Sequence, residues 1–430
     1  MNRTQNCGLK VVIVRDRAAA GGGIHHYYQA VQKHFTVRHE FVDVGRPHGF
    51  YLNKKEGVRC VSTPLRLILD LAALLVKLLR FPDLVHLNPG LDITTLKSLR
   101  RDALNICLAK LFLRTVIVFW RGWDNDACGT PEFPCGNRGW LSRVYRMADA
   151  HIVLAGDFRD DLRRWGFMAP IHVETTVVAD SELGLRGDAI KPEEGRRFRV
   201  LFLSRVEVAK GVFEMLDAFA LLEAREPGGY QFMIAGDGPG LEQLKERARE
   251  VGLKGIEFKG YVEGKVKWAC FAEADAFCFL SYTEGMPNAV LEAMAMGLPL
   301  VSSAAGGLKD ILEDGVSAYL IPYDRSAELG RRFSAEEVAC RIERLASEPE
   351  TRHRMAEHNR RYAREAFGAA RVAARLEAIY REVLGLPRIE PTDPVNVVEV
   401  GPAAPIYPMP AASEEGGSTG CKPCPTRQQS

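Results

Sequence analysis

The stretch Tyr282-Thr-Glu-Gly-Met-Pro-Asn-Ala-Val-Leu-Glu-Ala-Met-Ala-Met-Gly-Leu-Pro299 constrains the fold more than any other part of the chain. Before it runs Ala274-Asp-Ala-Phe-Cys-Phe-Leu-Ser281, short and aromatic-rich, which predicts a buried strand. After Gly285 the composition turns to helix formers, and Pro287 suits a first helical turn. Gly297 and Pro299 then end the helix, and Leu300-Val-Ser-Ser303 begins another strand. A strand–loop–helix–strand unit whose loop lies at a strand's carboxyl end belongs in an open α/β sheet, where ligands gather at that edge.

Two carboxylates give this loop chemical meaning. Glu284 stands before the helix and Glu292 eight residues later, about two turns on. Glu292 lies among Ala289, Val290, Leu291, Ala293 and Met294, where a carboxylate is costly unless something satisfies it. The N–H groups near Gly285, Met286 and Asn288 form an anion site that the helix dipole reinforces. An anion site beside two carboxylates suits a ligand both charged and rich in hydroxyls, such as a nucleotide sugar. Taken singly, Glu284 also fits a plain helix-start acid and Glu292 one half of a buried ion pair.

Glu284-Gly-Met-Pro-Asn288 followed by Glu292 resembles the E-x7-E signature of the family-4 retaining glycosyltransferases, the group 1 type with the GT-B fold. The flanks Ala295-Met-Gly-Leu-Pro-Leu-Val-Ser and Gly306-Gly307 extend the likeness, which covers roughly residues 1–385 and is strongest over 198–322. It implies an α/β protein of two doubly wound Rossmann-like domains facing a cleft. Residues 1–190 would form the acceptor-side domain and 191–365 the nucleotide-sugar domain, with 366–385 a helix returning to the first. After the strand Phe198-Arg-Val-Leu-Phe-Leu203, Arg205 and Lys210 are two cations on a strand-to-helix loop, a fork and a mobile point charge that suit a diphosphate. Either alone also fits a solvated loop. The resemblance assigns both to the donor diphosphate and its leaving-group charge, Glu292 to ribose hydroxyls and Glu284 to sugar hydroxyls. It puts the nucleobase near Gly260, Tyr261 and Val262.

In the amino-terminal half, Lys10-Val-Val-Ile-Val-Arg15 predicts a strand, followed by glycines including Gly22 and Gly23, a helix to His34 and a strand over Val37–Val44. The glycines fit a turn, and also a loop without side chains that lets phosphate or sugar approach the backbone. They do not form G-x-G-x-x-G. A later strand, Val116-Ile-Val-Phe-Trp120, leads into Arg121-Gly122-Trp123-Asp124. Members of the resembled family commonly carry His-Gly here, so Arg121 is a departure: it can clamp phosphate but cannot shuttle a proton. Asp124-Asn-Asp126 matches a manganese-binding D-x-D pattern of the other glycosyltransferase fold, but its surroundings do not, and it is read as loop. No metal is expected.

Residues 65–81 predict a helix apolar on more than one side. Packing between the sheet and its neighbours is the first expectation and a membrane-touching face the second, since Arg66, Lys77 and Arg80 interrupt it too often for a span. Lys97, Arg100, Arg101, Lys110 and Arg114 tint the next helix basic, as anionic headgroups or a solvated face would require. Overall charge is nearly balanced, 57 basic against 55 acidic residues, which argues against nucleic acid. No signal-peptide core opens the chain. Cys107, Cys270, Cys278 and Cys340 read as core thiols, while Cys128/Cys135 and Cys421/Cys424 lack the further ligands a zinc site needs. A reducing cytoplasmic setting follows, with peripheral contact at the inner membrane face as the second expectation. The Pro-, Glu-, Ser- and Gly-rich residues 386–430 predict a disordered tail. Helices are expected at about 335–346 and 350–384.

The expected reaction is transfer of a hexosyl group from a nucleotide-diphosphate sugar to a hydroxyl of a polysaccharide, lipid-linked or other glycan acceptor. Retention of configuration is implied by the resemblance. UDP-sugar is the first expectation for the donor and GDP-sugar the second, with no cofactor. An epimerase of the same fold and a sugar-nucleotide-binding subunit without turnover are the alternatives. A Rossmann dehydrogenase is disfavoured by the missing glycine fingerprint.

Overall fold

The computed structural model describes residues 8–388 except 18–22, 46–62, 92–95, 124–129, 135–138, 184–195, 325–326 and 329. Gly22, Asp124 to Asp126, Cys128, Cys135, Cys421 and Cys424 therefore lie outside the described residues, as do the domain boundary expected between 190 and 191 and nearly all of the tail.

The described residues form two six-stranded parallel sheets with helices on both faces. The first is built from β1 (Lys10–Asp16), β2 (Arg38–Val44), β3 (Leu84–Leu87), β5 (Thr115–Phe119), β7 (Ala150–Val153) and β8 (Ile171–Val173). A two-residue pair, β4 (Gly90–Leu91) and β6 (Gly122–Trp123), extends β3 and β5 towards the cleft. Its helices are α1 (Gly23–Val31), α2 (Thr63–Leu78), α3 (Lys97–Leu111), α4 (Gly139–Tyr145) and α5 (Gly156–Arg164). The second sheet holds β9 (Phe198–Leu203), β10 (Tyr230–Ala235), β11 (Ile256–Gly260), β12 (Ala276–Phe279), β13 (Leu300–Ser302) and β14 (Ala318–Leu320). Around it lie α6 (Val212–Arg225), α7 (Leu241–Glu250), α8 (Gly264–Glu273), α9 (Asn288–Ala295), α10 (Leu308–Ile311), α11 (Ala335–Ser347) and α12 (Pro349–Ala366), while α13 (Ala369–Val383) packs against α1 of the first half.

Strands such as Val11 to Val14 and Ala276 to Phe279 are buried on both faces, which is why they read as unbroken apolar runs. The first sheet runs β2-β1-β3-β5-β7-β8 and the second β11-β10-β9-β12-β13-β14. Strand order therefore reverses between β1 and β3 in one sheet and between β9 and β12 in the other. Those two reversals open crevices at the carboxyl ends, where an α/β sheet binds its ligand. One apolar cluster joins the halves, running from Ile13 and Tyr28 through Leu154 and Met286 to Phe279 and Tyr380.

Four expectations are corrected. The single helix expected over 350–384 is two, α12 and α13, broken where Val178 N donates to Phe367 O at 2.9 Å and Asp180 Oδ1 accepts from Ala369 N at 2.8 Å. That break turns α13 back onto the first half. The helix expected over 65–81 ends at Leu78 and buries only a narrow stripe, Asp70, Leu74 and Leu78, so its apolar residues are not all packed. Cys107 is exposed on α3 rather than a core thiol, whereas Cys270 and Cys278 are buried. Pro287 precedes its helix as the N-cap instead of sitting in the first turn.

His86 on β3 and His151 on β7 are fully buried, and burial first, then Arg121 and Arg163 respectively, pushes each imidazole down to about 3. The unfolded chain, near 6.5, takes up these protons first. Stability from the neutral histidines is therefore complete above the unfolded value and is lost as pH falls towards the folded one. Each group costs about 1.4 kcal/mol per pH unit in that window. The thermal midpoint should fall on acidification from about pH 7 to about pH 5, and His86→Gln or His151→Gln should each reduce the slope.

Candidate functional site

The loops after β9 and β12 are held together by their backbones. Tyr282 N donates to Ala209 O at 2.9 Å. Gly211, at φ +65°, lies so close that a Cβ there would sit 2.1 Å from Leu280 O, which only glycine permits. Lys210 is thereby carried beside Glu284, and its Nζ donates to Glu284 Oε1 at 2.5 Å. Both side chains are nearly enclosed, 12% and 14% exposed. Behind Glu284, Gly307 N donates to Gly285 O at 2.7 Å, and a Cβ on Gly306 would fall 1.7 Å from Glu284 O. The paired glycines are thus the backing of the carboxylate loop.

Helix α9 begins directly after this loop. Its first bonds run from Val290 and Leu291 to Pro287 O, so the N–H groups of Asn288 and Ala289 point forward from the helix start. No acid occupies the first turn of α9 to oppose an anion there. Asn288 Oδ1 is buried without a hydrogen-bond partner among the described residues, an acceptor free to take a donor.

Across the crevice stands the first sheet. A cavity of about 450 Å³ is lined by Glu284, Gly285, Met286 and Asn288 from the second half, and by Asp16, Gly23, Arg121 and Thr176 from the first. Thr176 Oγ1 donates to Met286 O at 3.3 Å and Gly156 N to Asp310 Oδ2 at 2.7 Å, fastening the two walls. The Arg121 guanidinium is clamped between rings, its Cζ 3.6 Å from the centre of Tyr27 and 3.8 Å from that of Phe119. Its Nε donates to Asn88 Oδ1 at 3.2 Å, and Nη2 is buried without a partner among the described residues. A fixed positive charge therefore faces the Glu284 loop.

Of the residues singled out from the sequence, Glu284, Gly285, Met286, Asn288, Gly23 and Arg121 line one cavity, and Lys210 touches it through Glu284. Arg205 does not: its side chain is 73% exposed and rests on Glu207 at 3.2 Å. Glu292 is not among the residues that line the cavity and pairs with Lys267 on α8, Nζ to Oε1 2.8 Å, the ion pair its sequence context left open. Burial pushes the Glu292 carboxyl up, and Lys267 partly offsets this. Gly260, Tyr261 and Val262 follow β11 on the α8 side, with Tyr261 exposed and Val262 packed on the core. Sequence reasoning missed Asp16, whose Oδ1 accepts from Arg101 Nη1 at 2.8 Å, and Lys267. Asp16 had a signal, its place at the carboxyl end of β1. Among the described residues no cluster of three His, Cys, Asp or Glu could hold a metal ion.

Comparison with known proteins gives this geometry a context. Residues 188–362, the stretch containing β9 to β14, match the family model of glycosyl transferases group 1. The alpha-D-kanosaminyltransferase of Streptomyces kanamyceticus is 27% identical over 57% of this chain and 63% of its own length. A Campylobacter jejuni N-acetylgalactosaminyltransferase acting on an undecaprenol-linked glycan is 31% identical over 31% of this chain and 37% of its own. The chain thus spans roughly two to three fifths of these curated relatives. Among solved structures, Anabaena HepE in complex with UDP superposes with a TM-score of 0.62 at 15% identity, covering 87% of this chain and all of that one. Sucrose-phosphate synthase of Thermosynechococcus elongatus superposes at 0.60 and 17% identity, covering 88% of this chain. The fold is the two-sheet α/β architecture of GT-B glycosyltransferases.

Gly306 provides a test of how the loop is held. At φ +53° with Glu284 O against its Cα, Gly306→Ala must displace the carboxylate loop. Denaturant unfolding should show a loss of about 3 kcal/mol, against about 1 kcal/mol for Gly252→Ala, which shares the positive φ but meets no atom within 4 Å.

Proposed function

We propose that the chain is a glycosyltransferase that moves a hexosyl group from a nucleotide-diphosphate sugar to a hydroxyl of a glycan or lipid-linked acceptor, retaining anomeric configuration and using no metal. UDP-sugar is the first choice of donor and GDP-sugar the second. The observation that carries this reading is the Lys210–Glu284 contact at the mouth of α9, in a cavity walled by both halves. The group 1 match over 188–362 and the UDP-bound HepE neighbour support it. In this reading 1–190 is the acceptor-side domain, 191–365 the donor domain and 366–385 the helix that returns to the first. The protein works on the cytoplasmic side.

The roles follow from charge. A departing nucleoside diphosphate must have its charge neutralised before the sugar bond breaks. Lys210 and the forward N–H groups of α9 lie at the cavity, and Arg205, a mobile arm on the same loop as Lys210, swings in from solvent. Glu284 holds Lys210 until the diphosphate arrives, then turns to the sugar's hydroxyls. Glu292 takes the ribose hydroxyls, sharing Lys267, beside the base site at Gly260 to Val262. Gly23 lets the donor approach the first wall, and Arg121 fixes negative charge across from Glu284. Arg121 cannot receive the acceptor's proton. Asp16, Glu284 and the leaving diphosphate are the bases that border the reacting centre.

Lys210→Ala and Arg205→Ala should each lower turnover by roughly 10²–10³, the effect of removing one stabiliser of developing charge. Wild-type rates in both would falsify the diphosphate assignment. Glu292→Gln should weaken binding of the bare nucleoside diphosphate in calorimetry. Glu284→Gln releases Lys210 from its carboxylate, so it should bind that ligand at least as tightly as the parent yet transfer sugar poorly. Equal losses of affinity in the two variants would sink this division of labour. Transfer should survive excess EDTA, whereas activity lost to chelation and restored by manganese would move the site to Asp124 and Asp126. Product analysis without acceptor separates transfer from epimerisation.

A further inference from the structure

The outer flank of the first sheet carries an apolar face that no other described residue covers. Helix α2 turns Asp70, Leu74 and Leu78 inward, while Ile68, Val76 and Leu79 stand outward and more than half exposed. Ile68, Val76 and Leu79, the last just past the end of α2, are spaced so that they share one side of the helix, the inverse of an ordinary surface helix. Leu111, at the end of the neighbouring α3, is 77% exposed and continues the face.

Two backbone outliers enlarge it. Phe81, just past α2, has φ +54°, and Leu113, just past α3, has φ +56°. Both occupy the left-handed position that usually ends a helix with glycine. A bulky side chain there is strained, and here the strain holds rings and methyls in solvent, 67% and 90% exposed. The two ends are neighbours: the Arg114 guanidinium lies 5.4 Å from the Phe81 ring centre, and its Nη1 donates to Pro82 O at 3.2 Å.

Charge decides what covers the face. The acidic residues of α2 and α3 are Asp70 and Asp102, and both are buried. At the rim, Lys77 and Arg80 share the one carboxylate of Glu40, and Arg114 stands beside Phe81 near the exposed Asp83, so the three cations exceed the two carboxylates by one charge. Lys110 is neutralised by Asp149 and contributes nothing. A second copy packed about a two-fold axis would bring the same cations against each other. A plane of anionic phosphates satisfies them while the acyl boundary takes the aliphatic side chains. Among the described residues no helix is long and apolar enough to cross a membrane, and α2 is 16 residues, shorter than a span needs.

We propose that the α2–α3 face seats this protein on the interface of an anionic lipid bilayer, with Phe81 and Leu113 as wedges and Arg80 and Arg114 at the phosphate level. The amino end of α2 lies at the cleft edge of the sheet, where Arg66 Nη2 donates to Gly45 O just past β2. Phe81 and Leu113 directly precede β3 and β5 and mark the opposite, amino-terminal edge, so the seated face runs across the flank of the sheet from one edge to the other. The seating does not depend on the transferase reading above.

The test is co-flotation of the full chain with vesicles, in the absence of any substrate. Vesicles of phosphatidylglycerol and phosphatidylcholine in equal parts should bind it at least about tenfold more tightly than phosphatidylcholine alone, and salt should weaken the binding. The triple variant Ile68→Gln/Val76→Gln/Leu79→Gln should lose it. Phe81→Gly and Leu113→Gly give a readout that a purely structural role would not: each should raise the thermal midpoint by relieving backbone strain while lowering vesicle binding. Failure of the parent chain to float with anionic vesicles would overturn the proposal. So would a dimer in light scattering that the triple variant dissolves, because a second copy would then be the occupant.

Discussion

The cleft exists because α13 is pinned to a half of the molecule from which it is distant in sequence. Glu377 accepts from Thr36 Oγ1 at 2.6 Å and from Val37 N at 3.0 Å, while Arg375 pairs with Glu174 at 3.0 Å. Tyr380 OH meets His86 Nδ1 at 2.7 Å inside the first sheet. Removing one partner of such a buried set leaves a charge or donor without compensation, at a cost of about 3–5 kcal/mol for an ion pair. These contacts fix how far apart the two strand-order reversals stand, and so the width of the cavity between them.

The same network reaches the cavity wall. His86 is kept neutral by burial and links Tyr380 to Tyr28, whose hydroxyl donates to Asn88 Oδ1, which in turn accepts from Arg121. The guanidinium is therefore held by a chain of hydrogen bonds and by two rings, and it presents charge without needing a salt-bridge partner. Opposite it, Lys210 is already neutralised by Glu284. The site thus carries one lysine–carboxylate pair; under the reading proposed above, an incoming diphosphate divides it, and that competition would select a ligand bearing both charge and hydroxyls.

Much of this could be read in advance, and for stated reasons. Alternating apolar runs and helix formers predicted an open α/β sheet because strands buried on both faces leave unbroken hydrophobic stretches, and the family resemblance implied two such doubly wound halves. The Glu284 loop was legible because Gly285, Pro287 and Gly297 punctuate it. Long-range partners were not: nothing local in Glu292 selects Lys267, and nothing in Thr36 announces Glu377. The break at Gly368 was hidden because its cause is Asp180, far away in sequence. Helix α2 misled because a residue pattern apolar on several sides does not say whether protein covers each side. Arg205 matched its expected position in sequence but not in space, because a long side chain on an open loop chooses the nearest carboxylate, Glu207.

A thermal-shift titration of the full chain with UDP in EDTA tests the account most directly, with Lys210→Met alongside. A ligand at about one hundred times its dissociation constant adds roughly 2.7 kcal/mol to the folded state, a clear rise in midpoint. The account predicts that rise in the parent chain with metal absent, and its loss in a Lys210→Met protein that remains folded. An unshifted parent midpoint with UDP and with GDP alike, or an undiminished shift in Lys210→Met, would contradict it.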